Sequence, residues 1–476
     1  MNDVKNFNKG MIIDKFHSYF KENKSFLLLL GISFVFMCLS IIYYPLTLVT
    51  IAILIIGACF FDFSKIIIIM ILYCFCFNGL VDIQVFSNGN LYTNSLLFGC
   101  LTLIITVKYL CLVCKKKIKI NWLFAILCLL FFVYISLPIY EYKINILWIY
   151  CFVIGIYCIF EIRDQINFKE IVNYVSIGII VSSLLSFVAR LNPYINDVLG
   201  NFYDYNTLKF QALFLNPNFL GIYCVIILSA LLLLQIQKWS YLRLIFIALI
   251  YGIGYSTISR AFLICSTICL CVYFLFLIIK NKKQGLVQIL YSGFCIVLCF
   301  IALFPYTKVY YLRFDHMISK SKSDIVMFTQ NYDLCDNVNI YRKEITSDEE
   351  INSEEDATIQ TEYDNPSRDV LLKLYWEDYT SSPITIIFGK GVCATHDVGM
   401  SPHNSYIGLL WNVGILGALL IFCIVIYVLI KLKIKYISSI ILIPFLFLGL
   451  VETLFFTKWF WLVSLLIITG DKKYVD

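Results

Sequence analysis

Long apolar runs separated by short polar stretches dominate the hydropathy pattern along the chain. A membrane-spanning helix needs about 20 mostly apolar residues, and fourteen runs approach that length. Two of them are separated only by a Tyr-Pro turn, and the last pair is short. The pattern predicts an all-α polytopic membrane protein with about 12–14 transmembrane helices, near residues 25–43, 44–61, 65–84, 92–113, 120–139, 144–162, 170–189, 216–236, 240–257, 261–280, 287–305, 408–431, 437–453 and 457–470.

Composition supports the membrane interpretation. The chain is 61% hydrophobic and only 14% charged, against about 25% charged residues in ordinary soluble domains. Lipid can cover that much apolar surface, whereas a soluble core cannot. The net charge of +6 is divided among many short loops, which argues against nucleic acid as a partner. Cys111 and Cys114 form a CxxC, but no second pair or nearby His completes a metal site.

The distribution of Lys and Arg predicts the orientation. With the N-terminus inside, the cytoplasmic segments hold 22 basic residues and the short outer loops hold five. No cleavage site follows the first apolar run, so a removable signal is not expected. The predicted layout is a cytoplasmic tail 1–24, helices 1–11 within 25–305 with an outer loop at about 190–215, a large extracytoplasmic loop 306–402, C-terminal helices 403–470 and a cytoplasmic tail 471–476.

The large loop is acidic, with nine basic and seventeen acidic residues. Its middle lacks apolar periodicity and is predicted to be a solvated surface. Its later part, 367–391, has a helical apolar pattern followed by a short apolar run, and we expect it to fold back onto the membrane face. Cys335 and Cys393 could form a disulfide if the loop faces an oxidising compartment.

The eighth, tenth and twelfth predicted spans all begin outside, and two of these three have strong helix-start signals. Asn216-Pro217 and Ser401-Pro402 each place a capping side chain before a Pro suited to the first helical position. Helix N-termini carry free N–H groups and partial positive charge, so together they would favour an anion. Cationic candidates near these starts are Lys209, Arg260 and Arg368.

Arg260 is the most informative of the cations, because it lies in a very short outer loop against the positive-inside bias. The alternative is an arginine that snorkels to the headgroups. Glu452, at the outer end of a span, is either a functional carboxylate or an interfacial residue paired with Lys458. Lys108 is the one ionisable residue well inside a predicted span.

His403 lies where the large loop meets a membrane helix. A lone His is most often structural, but this position beside the predicted anion site favours a catalytic imidazole. A zinc site from His396, Asp397 and His403 is an alternative that no spacing specifically supports.

These residues carry a resemblance to the superfamily of O-antigen polymerases and O-antigen ligases. His403-Asn404, nine further residues, and then Gly414-x-x-Gly417 resemble the family signature. Other similar segments are Asn216-Pro217-Asn218-x-x-Gly221, Ser259-Arg260, and a loop pattern of Arg368, Trp376, Pro383, Gly389 and Gly391. The resemblance covers residues 200–430. Lys209 and Ala212 depart from the Arg and Gly that the family often has there, and lysine lacks the bidentate guanidinium fork.

The resemblance implies a GT-C-like bacterial inner-membrane glycosyltransferase with an outward-facing site. Donor and acceptor would be oligosaccharides on undecaprenyl diphosphate, in a membrane lipid environment and with a chain-length regulator as a candidate partner. His403 would take the acceptor proton, while Arg260, Lys209 and Arg368 would bind the diphosphate, supported by Asn404, Asn216, Asn218 and Glu452. No metal or other cofactor is expected.

The shared motifs do not separate the family's two activities. The extended N-terminal set of spans and the large acidic loop favour a polysaccharide repeat-unit polymerase of O-antigen or capsule. An O-antigen ligase that transfers finished glycan to a lipid core is the alternative. A lipid-glycan flippase is a lesser alternative, since transporters usually carry repeated halves and midplane ionisable residues.

Overall fold

The computed structural model describes residues 18, 21–40, 43, 45–77, 93–136, 146–190, 203–204, 209–210, 212–214, 217–302, 368–391, 402–432, 439–451 and 458–470. Their regular secondary structure is helical apart from a two-strand ladder, β1 (Tyr203–Asp204) and β2 (Lys209–Phe210), which pair antiparallel. The predicted all-α fold class is confirmed for this part of the chain. The predicted large loop lies mostly outside the described residues.

Seven helices lie in the described part of the N-terminal half. A π-helical turn, Leu72–Cys76, continues the third helix, and a 3-10 turn, Arg163–Gln165, precedes the seventh. The helices are α1 (Lys24–Leu39), α2 (Leu46–Phe60), α3 (Phe63–Ile71), α4 (Thr93–Cys114), α5 (Trp122–Ile135), α6 (Ile146–Ile162) and α7 (Phe168–Arg190).

The C-terminal half contains the helices that form the candidate site. They are α8 (Pro217–Gln237), α9 (Tyr241–Ser256), α10 (Arg260–Ala302), α11 (Arg368–Tyr379), α12 (Pro383–Phe388), α13 (Ser405–Leu432), α14 (Ser439–Val451) and α15 (Lys458–Gly470).

The helices belong in a membrane. Within the described residues, five segments are long and apolar enough to cross one: Asn94–Cys114 of α4, Phe168–Ser186 of α7, α8, Arg260–Ile279 of α10, and α13. Large apolar side chains such as Leu103, Leu129, Leu242, Leu275 and Phe422 are exposed on the outer faces of the bundle. Water would not tolerate such a surface, whereas lipid matches it. The chain is therefore a membrane-embedded helical protein.

Helix α10 covers two of the predicted spans, 261–280 and 287–305, and its two arms fold against each other. Ser292 lies beside the Tyr273 hydroxyl, although a straight helix would separate residues 19 positions apart by about 28 Å. The ring of Tyr291 also contacts that of Tyr241 on α9, with centroids 6.2 Å apart. The chain therefore reverses between residues 273 and 292.

Helix α8 is the centre of the bundle. Every residue from Leu220 to Ile236 is buried, because α7, α9, α10, α14 and α15 all pack around it. A helix that is apolar on all sides and surrounded by other helices is the expected core of a large membrane bundle.

Contacts between helix ends define two ends of the bundle. At one, the Gln237 side chain donates to the Gly470 carbonyl (3.0 Å), and an added Cβ on Gly470 would lie 3.3 Å from Phe168. We call this the Gln237 end. Helices α8 and α15 are therefore parallel, and both begin at the opposite end. Since six residues join α14 to the start of α15, α14 ends there too. We call this opposite end the His403 end.

Lys108 has a structural contact. Its ammonium group donates to the Phe61 carbonyl, just past the end of α2. Cations stabilise helix C-termini in this way because the last carbonyls have no intrahelical partner. This contact explains why an ionisable residue lies inside a predicted span, and the explanation does not require a role in transport.

Candidate functional site

The starts of α8 and α10 lie side by side at the His403 end. Gly221, one turn into α8, permits this approach. A Cβ at Gly221 would lie 3.1 Å from Ser259 Cβ and 3.2 Å from Thr257 Oγ1. The Asn-Pro-Asn-x-x-Gly and Ser-Arg segments of the sequence therefore meet in space. Asn218 is half-buried in the first turn of α8, while Asn216 lies outside the described residues.

A tight turn presents Arg260. Helix α9 ends at Ser256 and α10 begins at Arg260, as the sequence predicts. The Thr257 hydroxyl donates to the Gly254 carbonyl (2.7 Å), and Ser259 Oγ accepts from the Phe262 N–H (3.4 Å), so Ser259 caps α10. Arg260 follows this cap and is exposed. Arg260 thus lies at the bundle surface beside two helix N-termini.

Helix α13 begins later than predicted. Ser401-Pro402 suggested a start at Pro402, but the helix starts at Ser405 and its cap is Asn404. Asn404 Oδ1 accepts from the N–H groups of Tyr406 (3.0 Å) and Ile407 (3.1 Å). Because Asn404 occupies these donors, less of the helix terminus remains for an anion than the sequence suggested. The prediction of a Ser401-Pro402 start was wrong.

His403 precedes this cap in an uncommon backbone conformation. Its φ of 48° lies in the left-handed region, which His, Asn and Asp occupy more readily than most residues. The residue is half-buried. The imidazole is therefore held at the junction of the large loop and α13 by a defined backbone geometry.

Helix α14 connects His403 with the Arg260 region. The Asn404 side chain donates to the Leu450 carbonyl (3.3 Å), and the Tyr406 hydroxyl donates to the Leu446 carbonyl (2.8 Å). Helix α14 also packs against α8 and α10. His403 and Arg260 thus lie at the same end of the bundle, on or next to helices that both pack against α14. Glu452, one residue beyond α14, is outside the described residues.

The GxxG part of the sequence marks a break in α13. Gly414 has φ 61° and ψ −174°, which is not helical. The carbonyls near the break bond to a loop segment instead: the Lys390 N–H donates to Trp411 O (2.7 Å) and the Gly391 N–H donates to Asn412 O (2.9 Å). Side chains at Gly389 or Gly414 would overlap the facing backbone. The two glycine motifs therefore interlock by backbone contact.

Tyr134 of α5 closes the same junction from the other side. Its hydroxyl lies 2.6 Å from the Val413 carbonyl, to which it donates, and 3.3 Å from the Phe388 carbonyl. Gly417 leaves room for the Tyr134 ring, since an added Cβ there would lie 2.6 Å from Tyr134 Cε1. Gly417 thus has a packing role in this arrangement.

A polar clamp joins α11 to the same turn. Asp378 accepts from the Trp411 indole N–H (2.8 Å) and pairs with the Lys390 ammonium group (2.8 Å). Nearby, burial, with Asp378 as a second cause, raises the pKa of Tyr375 to about 12. Tyr375 therefore stays neutral at physiological pH. These contacts hold α11 and the segment after α12 against α13.

The remaining predicted residues are only partly placed. Lys209 lies on β2, where its backbone is opposite that of Asp204 in the strand register, and β2 adjoins α9. Arg368 is the first residue of α11, which packs on α13. The side chains of both lie outside the described part. So do Cys335, Cys393, His396 and Asp397, and the disulfide and zinc alternatives stay untested.

The junction residues Tyr134, Asp378, Lys390 and Trp411 were not identified from the sequence. Of this junction, the sequence pointed only to Gly389, Gly391, Gly414 and Gly417, as parts of the motifs that carry the family resemblance. Glycines paired across a long separation were the available signal, because backbone-to-backbone contact requires a missing Cβ.

Comparisons with protein-family models, curated protein sequences and solved structures found no match to this chain. The resemblance to O-antigen polymerases and ligases consequently stays a prediction that depends on the quoted motifs.

Proposed function

We propose that the chain is a polysaccharide repeat-unit polymerase of the bacterial cytoplasmic membrane. In this proposal it is a GT-C-like enzyme with 12–14 spans, both termini in the cytoplasm and a large loop outside. It transfers a glycan from undecaprenyl diphosphate to the terminal sugar hydroxyl of a lipid-linked acceptor.

The observation that supports the proposal best is the gathering of three motif segments at the His403 end. The start of α8 meets the Ser259-Arg260 turn, and the His403-Asn404 junction lies at the same end of the bundle, although these segments are up to 187 positions apart in the sequence. A cation, an imidazole and helix N-termini are the groups that a diphosphate leaving group and an attacking hydroxyl require.

The opposite end of the bundle supports the orientation. Lys115, Lys116, Lys117 and Lys119 lie between α4 and α5, whose junction residue Asn121 contacts Glu161 (3.3 Å) and Tyr427 (2.7 Å) near the Gln237 end. By the positive-inside rule, this lysine-rich end would be cytoplasmic. The His403 end would then face outward, where the lipid-linked sugars are exposed.

The reaction follows from these roles. The acceptor hydroxyl oxygen attacks the anomeric carbon, and the bond between that carbon and the diphosphate oxygen breaks. The neutral His403 imidazole takes the hydroxyl proton. Arg260, with Lys209 and Arg368 as further candidates, stabilises the negative charge on the departing lipid diphosphate. The transition state has oxocarbenium character, as in other glycosyl chemistry.

The test uses purified protein in liposomes that contain lipid-linked repeat units. We expect chain growth without an ion gradient, and His403→Ala and Arg260→Ala should each lower it at least about 100-fold while folding and insertion are retained. Lys373→Ala is the matched control, because Lys373 is exposed on α11. Normal polymer from either site variant would remove that residue from the mechanism.

A deletion strain separates the two glycosyl-transfer activities. Loss of a polymerase leaves single repeats on the cell surface, whereas loss of a ligase strands long glycans on the lipid carrier. Movement of lipid-linked repeats across liposomes without elongation would instead indicate a flippase.

A further inference from the structure

Helix α12 exposes apolar side chains that continue the outer face of α13. Ile384 is 66% exposed and Ile387 is 46% exposed. The Ile387 carbonyl touches Gly414, and beyond Gly414 the exposed residues of α13 are Ile415, Leu416 and Leu419. These side chains form one apolar surface, which we call the α12–α13 face. Since α13 is long and apolar enough to cross a membrane, the surface that covers this face is lipid.

The length of α13 sets the depth of its break. Its 28 residues rise about 42 Å, whereas the hydrocarbon core is about 30 Å thick and needs about 20 residues. Lys431, at the Gln237 end of α13, marks one boundary because its charge belongs in the headgroup region. Counting back from there puts the other boundary near Trp411. Gly414 and the segment bonded to it therefore lie just within the hydrocarbon region.

Backbone at that depth must find its hydrogen-bond partners within the protein. Irregular backbone inside a membrane is tolerated only where protein or a water-filled cavity satisfies its polar groups. Here the Lys390 and Gly391 N–H groups bond to the Trp411 and Asn412 carbonyls, and the Tyr134 hydroxyl bonds to Val413 O. Each irregular segment thus satisfies the other, which neither could do alone.

We propose that residues 383–391 form a re-entrant membrane segment that splints the broken turn of α13, with Tyr134, Asp378 and Lys390 as its positioning residues. The short helical piece from Ser405 to Val413 is fixed by Asn404 at its start and by this splint at its end. His403 precedes that piece, so the splint sets the direction of the imidazole. Only this last consequence depends on the proposed function.

The depth of the segment is tested by labelling in nanodiscs. p-Azidophenylalanine is placed in turn at Ile387, at Ile415 and at Glu377, and each protein reacts with a membrane-impermeant cyclooctyne. We expect position 387 to react as slowly as position 415, which lies on the lipid face of α13. Position 377, exposed on α11, is the aqueous reference. Reaction at 387 as fast as at 377 would overturn the re-entrant assignment.

The splint is tested by amide hydrogen exchange, which needs no activity. Tyr134→Phe and Asp378→Asn should each speed exchange in peptides covering 386–391 and 405–415 by about fivefold, because each removes contacts of the splint. The matched control is Glu377→Gln, which breaks the exposed Lys373–Glu377 pair (3.8 Å) on the same helix. Unchanged exchange in both test variants would refute the splint, whatever their activity.

Polymer synthesis by the same variants then separates the two proposals. We expect Tyr134→Phe and Asp378→Asn to lower kcat about tenfold with a smaller change in KM, because substrate contacts remain while the imidazole is misdirected. Asp378→Lys and Lys390→Asp should each lower kcat when made alone. The double variant should recover part of that kcat, because it restores an ion pair between the two positions. The Tyr134→Phe and Asp378→Asn variants could show faster amide exchange while the wild-type protein makes no polymer. That result would support the splint and contradict only the proposed function. Faster exchange with unchanged kcat would overturn the positioning role.

Discussion

Helices α8 and α13 both begin at the His403 end, yet they are built in opposite ways. Helix α8 is continuous and buried on every side from Leu220 to Ile236. Helix α13 is broken at Gly414, and its fully buried residues all lie between Ser405 and Gly417, while its later turns are exposed or only partly buried. The first is a scaffold, and the second is a peripheral helix whose first turns are held separately.

The difference shows that the positions of these two helices are fixed by different kinds of contact. Side chains packed around α8 fix its position, because any shift would open cavities on several sides. The first turns of α13 are packed through fewer buried side chains, chiefly Trp411 and Val413, and are also held by hydrogen bonds to α5, to the segment after α12 and to α14. Positions on α13 should therefore be sensitive to single polar contacts and to backbone space.

Gly414→Ala should have the largest effect on stability. The new Cβ would overlap the Ile387 backbone, and alanine is strained at a φ of 61°. We expect a loss of about 2–4 kcal/mol in the free energy of unfolding, seen as a lower midpoint of thermal unfolding in detergent. Gly31→Ala on α1 is the control, because no atom lies within 4 Å of its added Cβ. An unchanged midpoint would show that the break at Gly414 is not required.

The sequence predicts the helices of this fold better than their junctions. Lipid requires long apolar runs, so every predicted span contains a helix in the described residues. The motif segments of the candidate site could also be chosen from the sequence, because caps, glycines and isolated cations have local signals. The start of α13 was predicted wrongly, since Ser401-Pro402 and Asn404 are both good capping signals. The Tyr134 hydroxyl donates to a backbone carbonyl 254 positions away, and no local sequence pattern predicts such a contact.

Arg243→Met should be next in size and tests the scaffold helix. The buried Arg243 guanidinium donates to the carbonyls of Leu234 (2.7 Å) and Lys238 (2.6 Å) and to Gln235 Oε1 (3.3 Å), which caps the end of α8. Methionine would fill the space but leave these acceptors without the donor. We expect a loss of about 2–3 kcal/mol in the same thermal assay. Exposed Lys238→Met is the matched control, and an equal effect of both changes would refute a specific cap.

Asn404→Ala should cost somewhat less and acts at the start of α13. It removes the cap of Tyr406 and Ile407 and the bond to Leu450. We expect a loss of about 1–2 kcal/mol. Asn404→Asp separates the two roles, because the carboxylate can still cap the helix but cannot donate to a carbonyl. If Asn404→Asp is as destabilising as Asn404→Ala, the bond to α14 matters more than the cap.

Gly221→Ala should have the smallest effect of the four and tests the meeting of α8 with the Arg260 turn. The added Cβ would press on Ser259 and Thr257 at 3.1–3.2 Å, and the turn can yield by a few tenths of an ångström. We expect a loss of at most about 1 kcal/mol, offset in part by the higher helix propensity of alanine. The shift would move Arg260. We therefore expect the rate of polymer synthesis to fall even if the free energy of unfolding hardly changes. Full activity in Gly221→Ala would mean that close contact between the two motif segments is not needed, and that Arg260 is placed by α10 alone.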